Sequence, residues 1–373
     1  MAATDLSRRH PHAWEGKNVL ITGHTGFIGT WLSMTLLHLG AQVDGFALDG
    51  ERTPGGGAVL GDLGVKGTAG DVRDFASVQR AMAARDFDVV FHLAAQPLVS
   101  VGLADPWGTL TTNTGGSVNV LEAARLCRPG VLVHVTSDKC YRNREWPWPY
   151  REVDEIGGGC PYSVSKAAAE LIFEAYGSLF RHEGGSVRAA SVRFGNVIGG
   201  GDHAPRRLVP DVMAALRDGR PIELRRPSAV RPWQHVMDVV HGLLLLAASL
   251  ADGSVEPGEV FNFAPPGDGA TVQELVTALT RAWRAGGADV PVRAEGDGRF
   301  VEDELLRLDG RKAASALGWS HAFDLEAAAC AIVEWERAVA RGRSPADATS
   351  AQIHAFHADD RTARFRPENR LPR

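Results

Sequence analysis

Tyr162-Ser163-Val164-Ser165-Lys166 sets a phenol and an ammonium at a spacing that puts both on one face of a helix. A free tyrosine titrates near pH ~10 and is a poor base at neutrality, whereas a neighbouring cation lowers that value and makes the phenolate available. Upstream, Val135-Thr136-Ser137-Asp138-Lys139-Cys140-Tyr141 brings a hydroxyl, a carboxyl and an amine in immediate succession at the end of an apolar run. A hydroxyl that bonds the oxygen the tyrosine deprotonates, followed by an acid and a base, can oxidise an alcohol and then act on its neighbours. Taken singly, a Tyr–Lys pair also reads as helix surface and adjacent opposite charges as a solvated turn. Taken together, Ser137, Asp138, Lys139, Tyr162 and Lys166 are the candidate catalytic residues.

Gly23-His24-Thr25-Gly26-Phe27-Ile28-Gly29 lies between an apolar run and a helical pattern. Glycines there permit a tight turn and a close backbone approach, so that a pyrophosphate rests on free N–H groups at a helix N-terminus. The candidate cofactor residues are Gly23, Thr25, Gly26, Phe27, Ile28 and Gly29, although the same glycines also suit a plain strand-to-helix connection. Asp49 falls about 20 residues on, where a carboxylate accepts the ribose hydroxyls of NAD. NAD is the expected cofactor, while Arg52 keeps NADP open. Asp71 and Val72 lie where a strand end meets an adenine edge, or in a solvated turn.

These groups need a scaffold, and the chain supplies one. Strand-like runs at Asn18–Thr22, Gln42–Leu48, Val89–Leu93, Val131–Val135 and Val187–Val192 alternate with helical patterns at Trp31–Leu39, Phe75–Arg85, Val118–Leu126 and Ala167–Phe180. Such alternation predicts an α/β fold, an NAD-binding Rossmann domain built on a doubly wound parallel sheet, with a smaller C-terminal substrate-binding lobe. The expected division is 1–193 for the dinucleotide-binding domain and 194–373 for the lobe, with 231–262 returning to the first domain. A helix is expected at Val209–Arg217, after which Arg225–Pro232 is a loop rich in proline and arginine.

With 373 residues, 44% hydrophobic and 23% charged, the chain is long enough for two or three domains and excludes disorder or a fibrous class. A net charge of -5 argues against nucleic acid as a partner. Four cysteines without paired spacing predict a reducing compartment and no metal site. Met1–Trp14 is polar, and the apolar stretch Val236–Leu250 is interrupted by Asp238, His241 and Gly242, so a cytoplasmic protein without a membrane partner is expected. Only five of the 40 basic residues are lysines, and two of those five are Lys139 and Lys166.

By its motifs the chain resembles the extended short-chain dehydrogenase/reductase family and, within it, nucleotide-sugar 4,6-dehydratases of the CDP-glucose type. The matching segments run in order through Gly23–Phe27, Phe91-His-Leu-Ala-Ala-Gln-Pro-Leu-Val99, Thr136-Ser-Asp-Lys-Cys-Tyr141, Gly195-Asn-Val-Ile-Gly-Gly-Gly-Asp202, Arg231-Pro-Trp-Gln-His-Val236, Glu304–Asp309 and Leu317–Trp319. Ser-Asp-Lys is the most specific of them, since dehydratases of the dTDP type carry Asp-Glu in place of Asp138-Lys139. The resemblance implies that Tyr162 takes the C4 hydroxyl proton, helped by Ser137 and Lys166, while NAD accepts the C4 hydride. Lys139 or a nearby group then removes the C5 proton, Asp138 protonates the departing C6 hydroxyl, and the hydride returns to C6.

The resemblance further implies that Leu93, Ala94 and Ala95 complete the cofactor site. Gln96, Asn196, Arg207 and Arg231 would bind a nucleotide-sugar substrate, expected to be CDP-glucose. The Gly199-Gly200-Gly201 loop would meet its diphosphate, with Trp233 and His235 either near it or simply packing the loop. A homodimer through helices near Gly108–Leu126 and Ser163–Gly177 is implied as well. The chain departs from the subfamily at Ser100-Val101-Gly102-Leu103, where basic and aromatic residues are common, and at Ile28, Phe194 and His203, which replace lysine, alanine and tryptophan. A sugar-nucleotide 4-epimerase and a non-catalytic NAD-binding protein are the competing readings. The first has no use for Asp138 and Lys139, and the second no use for the intact Ser137, Tyr162 and Lys166.

Overall fold

The computed structural model describes residues 13–48, 63–185, 187–204, 206–284, 291–294 and 303–357. Its first half is an α/β alternation: β1 (Asn18–Thr22), α1 (Phe27–His38), β2 (Gln42–Ala47), β3 (Lys66–Ala69), α2 (Phe75–Met82), β4 (Val89–His92), α3 (Val99–Ala104), α4 (Pro106–Leu110), α5 (Gly116–Cys127), β5 (Val131–Val135), α6 (Pro161–His182) and β6 (Arg188–Phe194). The later elements are β7 (Val197–Ile198), α7 (Leu208–Asp218), β8 (Ile222–Leu224), β9 (Val230–Arg231), β10 (Gln234–His235), α8 (Val236–Ala251), β11 (Val260–Phe263), β12 (Ala270–Thr271), α9 (Val272–Arg284), β13 (Val292–Ala294), α10 (Arg311–Leu317), α11 (Leu325–Ala340) and α12 (Pro345–His357).

Seven strands form one parallel sheet in the order β11-β6-β5-β4-β1-β2-β3. The order reverses between β1 and β4, and the crevice beyond their carboxyl ends is where such sheets bind ligands. Alternate side chains of each central strand go to opposite cores. Ile21, Phe91, Val133 and Val192 face one side with Leu32, Leu36 and Leu243, while Leu20, Val90, Leu132 and Ala189 face the other with Val120, Leu121 and Phe173. Both faces are therefore covered, as the apolar runs of the sequence require. Helix α8 is largely apolar because it is buried on all sides: Leu243, Leu244, Leu245 and Leu246 have no exposed surface. Each such leucine adds roughly 1.5–3 kcal/mol of burial.

The differences from the sequence pattern have local causes. Strand β3 was not anticipated, because Lys-Gly-Thr-Ala at a sheet edge carries no apolar alternation. Helix α1 starts before Trp31, since the last residues of the glycine turn are already its first turn. Helix α6 starts at Pro161, with proline in its first turn and the Cys160 sulfur accepting from the Ser163 N–H at 3.4 Å. Strand β11 adds to the edge beside β6, and α8 packs beneath β5 and β6. Smaller paired strands, β8 with β13 and β9 with β12, stand with α7 beside the carboxyl edge of the sheet. Helix α12 closes over α1, bringing His354 and His357 to the His38 ring.

Candidate active site

A cavity of about 980 Å³ opens at the carboxyl edge of the sheet and runs outward past α7. All five expected catalytic residues line it, together with Ile28, Leu93 and Ala95 from the cofactor side and Asn196, Arg207 and Arg231 from the substrate side. Three pieces of backbone position the reacting groups. Strand β5 ends at Val135, so Ser137 falls just beyond the sheet. Its hydroxyl caps a single 3-10 turn over Asp138–Cys140, accepting from the Lys139 N–H at 3.2 Å. Helix α6 presents Tyr162 and Lys166 in its first two turns, and the Tyr162 phenol hydrogen-bonds Ser137.

The electrostatics of these groups follow from enclosure. Burial pushes the Tyr162 phenol up to about 12, against the pull of the Ser137 hydrogen bond and the Arg207 charge. Burial also presses Lys166 down to about 8, while the neighbouring Glu170 works to keep it charged. Asp138 has 2% of its surface exposed, and that enclosure raises its carboxyl above the usual range despite Lys139 and the Ser137 hydrogen bond. One carboxyl oxygen accepts from Ser137 at 3.0 Å, and the other, Oδ2, is buried without a hydrogen-bond partner. A carboxyl whose burial favours the protonated form, with a free oxygen in a cavity wall, is equipped to act as an acid.

The glycine turn fits the pyrophosphate of a dinucleotide. Gly23 has φ +77°, and a Cβ on it would lie 2.8 Å from the Ala94 nitrogen. A Cβ on Gly29 would lie 2.1 Å from the Gly23 oxygen. Helix α1 has Gly26 as its N-cap, no side-chain cap and no acidic residue in its first turn, leaving its leading N–H groups open to an anion. Thr25 is buried in the turn, and the Phe27 ring packs toward Gly199. Asp71 is held by Arg73 at 2.5 Å, beside a shallower cleft that includes Trp107 and Asn119, and Val72 is buried with its carbonyl accepting from Asn119 at 2.8 Å. Asp49 lies outside the described residues.

Two groups expected to meet the substrate are engaged by the protein itself. Gln96 is not among the residues lining the cavity, and its amide bonds locally: Nε2 donates to the Leu98 carbonyl at 3.0 Å and to Thr109 Oγ1 at 2.8 Å, and Oε1 accepts from the Leu98 N–H at 2.6 Å. Asn113, on a π-helical turn over Thr111–Gly115, bonds the Gln96 backbone and reaches Ser165 Oγ at 2.9 Å, tying that loop to α6. The Gly199–Gly201 loop is likewise occupied by protein. The Gly200 carbonyl accepts from Trp31 Nε1 at 3.0 Å, and a Cβ on Gly200 would lie 2.2 Å from the Trp335 ring. These glycines admit tryptophans, while Asn196, Val197 and Ile198 before them and Asp202 after them border the cavity. His235 packs the loop, stacked on Phe323 at 4.1 Å, and Trp233 both borders the cavity and donates to the Ala270 carbonyl at 3.0 Å.

Arg207 is joined to Asp202 at 3.0 Å, and Arg231 donates to the Val230 and Asp303 carbonyls while sitting near Asp138. Arg206, Arg220, Arg225 and Arg226 add further positive charge to the cavity wall, which suits a diphosphate. They were missed because arginine is common throughout this chain; the Arg225-Arg226 doublet in its proline-rich loop was the available signal. Of the departures from the subfamily pattern, Ile28, Ser100 and Phe194 all line the cavity, whereas His203 sits against Trp335.

The chain is similar to known proteins over most of its length. The chain is 40% identical over 337 residues to the CDP-glucose 4,6-dehydratase of Salmonella typhimurium, covering 88% of this chain and 93% of that protein. It is 31% identical over 327 residues to the dTDP-glucose 4,6-dehydratase of Streptomyces griseus, covering 85% of this chain and 93% of that one. The crystal structure of DesIV, a dTDP-glucose 4,6-dehydratase from Streptomyces venezuelae solved with NAD bound, matches with a TM-score of 0.73 at 26% identity, over 88% of this chain and 99% of that one. Residues 19–264 match the NAD dependent epimerase/dehydratase family, and the chain belongs to that family.

Proposed function

We propose that this chain dehydrates a nucleoside-diphosphate hexose, with CDP-glucose the leading substrate, to its 4-keto-6-deoxy derivative. NAD, when bound, supplies an acceptor for the C4 hydride and gives that hydride back at C6. Tyr162 removes the C4 hydroxyl proton, Ser137 holds the same oxygen, and the Lys166 ammonium draws the phenol toward its anion. The ketone so formed acidifies the C5 hydrogen, which Lys139 takes as a proton and gives back to C5 when the hydride returns to C6. Asp138 donates its proton to the C6 oxygen, which leaves as water. Arg207 and Arg231 face the diphosphate, and Asn196 meets it at the cavity edge. Gly23, Gly26 and Gly29 hold the pyrophosphate of the cofactor.

The observation that carries this reading is Asp138: a buried carboxyl with a free oxygen, one residue from the hydroxyl that serves the oxidation step. Interconversion at C4 alone would give such an acid nothing to protonate. The test is incubation of purified protein with NAD and CDP-glucose, read by the alkali-induced enone absorbance of a 4-keto-6-deoxy sugar. UDP-, dTDP- and GDP-glucose run in parallel identify the base. CDP-galactose without enone absorbance would overturn the reading in favour of epimerisation.

A homodimer is part of the proposal. Trp107, Leu110, Val118, Leu126, Val164, Leu171 and Leu179 expose large apolar surface on α4, α5 and α6, and a second copy supplies a matching face. A monomer mass in sedimentation equilibrium would refute it. We place the protein in a reducing, cytoplasmic setting on the strength of four free cysteines. Among the described residues no helix is long and apolar enough to cross a membrane.

A further inference from the structure

Beneath the reacting groups lies a second polar layer that the chemistry above does not use. Glu170 stands one turn beyond Lys166, so that Tyr162, Lys166 and Glu170 form a single stripe along α6. Its carboxylate is 3% exposed at the residue level and engages both neighbouring strands: Arg193 of β6 at 2.6 Å, Ser191 Oγ at 2.8 Å, and the Thr136 hydroxyl. Thr136 immediately precedes Ser137. Arg193 continues to the Tyr141 hydroxyl at 2.8 Å, and Tyr141 closes the turn that bears Asp138 and Lys139 and donates its own hydrogen bond to Asn262 Oδ1 at 2.8 Å. One ion pair thus touches the strand end before the reactive turn, the residue after it, and the helix opposite.

We propose that the Glu170–Arg193 pair is a positioning device for the reaction: it fixes the Ser137–Lys139 turn against the Tyr162/Lys166 face and supplies the counter-charge to the Lys166 ammonium. The proposal rests on the roles given above to Tyr162 and Lys166. A buried pair of this kind is no evidence of stability by itself, because desolvation cancels much of the attraction. Its value here is geometric, since displacement of a reacting group by ~1 Å costs about 100-fold in rate. The groups that face Lys166 are Tyr162 and Glu170 on its own helix, Cys140 on the 3-10 turn, His92 on β4 and His134 on β5. Burial keeps both histidines neutral at ordinary pH. The Cys140 thiol is also held neutral by burial. Glu170 is the carboxyl group among them, joined to Arg193 at 2.6 Å.

The test compares Glu170→Gln with Glu170→Gln/Arg193→Met in the holoenzyme, reading kcat, KM and the pH profile of C4 hydride transfer alongside thermal stability. The amide of Glu170→Gln still accepts from Thr136 and Ser191 but leaves Arg193 buried without its partner. Expected results are a kcat lower by about 100-fold with KM little changed, and an alkaline limb displaced downward by about one pH unit as Lys166 loses its counter-charge. In the double variant, removal of both charges restores stability while the limb stays displaced. If the double variant shows the alkaline limb of the unaltered enzyme, the proposal is overturned and the pair is structural only; should Glu170→Gln not fold, the double variant decides alone. An unaltered enzyme that transfers no hydride from any sugar nucleotide would instead overturn the functional reading, so the two failures are distinguishable.

Discussion

Replacing Asp138 by asparagine isolates acid catalysis from every other contribution at this site. The amide has the shape of the carboxyl, its oxygen can still accept the Ser137 hydrogen bond at 3.0 Å, and the surrounding wall, where Gly195 leaves no room for a side chain against Asp138 and Pro232, is undisturbed. What disappears is the acidic proton, whose retention burial favours. A positioned general acid contributes about 100- to 10,000-fold, equivalent to roughly 2.7–5.4 kcal/mol of barrier. Oxidation at C4 does not involve that proton, so Asp138→Asn should still reduce bound NAD, seen at its near-ultraviolet absorbance, while enone product falls by about 100-fold or more. Supplying a 6-deoxy-6-fluoro sugar nucleotide sharpens the assay, because fluoride departs without an acid and its elimination should recover in the variant. Product formed from the ordinary substrate within about tenfold of the unaltered enzyme would show that the acid lies elsewhere.

Three further outcomes are expected. Lys139→Ala should permit C4 oxidation yet abolish solvent deuterium uptake at C5, and unchanged product formation removes Lys139 from the reaction. Gly29→Ala should fold, by circular dichroism, but lose NAD affinity by at least about tenfold, because its Cβ would lie 2.1 Å from the Gly23 oxygen and must open the turn; unaltered affinity in calorimetry contradicts the cradle. Burial, aided by the Lys166 charge, holds His134 down to about 3 when folded, so its contribution to stability is complete above the unfolded value of about 6.5 and is lost as pH falls toward 3. Between pH 7 and pH 5 the unaltered protein should therefore lose about 2 kcal/mol more than His134→Asn in urea titrations, and identical losses exclude the histidine as a source.

The glycine turn and the Tyr–Lys pair were legible because each is encoded in short spacing that only one local structure satisfies. Ser137 could be placed as well, since an apolar run must end where its strand leaves the sheet. Gly199–Gly201 misled for a physical reason: absence of a Cβ serves a phosphate and a tryptophan ring equally, and nothing nearby in sequence announces Trp31 or Trp335. The local bonding of the Gln96 amide to Leu98 and Thr109 was not legible, because it depends on how α4 folds back. Glu170 was hidden in plain helix periodicity. Its spacing from Lys166 continues the reactive stripe, but a carboxylate there reads as surface until β6 brings Arg193 beside it.

The contact of α12 with α1 has a consequence for how the protein comes to exist. The helix whose N-terminus is shaped for pyrophosphate is covered on its outer side by the last described helix, with Ile353 and Phe356 buried and His354 against His38. The two elements are separated by nearly the whole described chain. On a ribosome, the apolar flank of α1 must wait uncovered through most of synthesis, and the dinucleotide cradle gains its final backing only when α12 emerges. Early-stage chains are thus the vulnerable species, and a chaperone or a cofactor that holds the half-finished sheet would act during that interval.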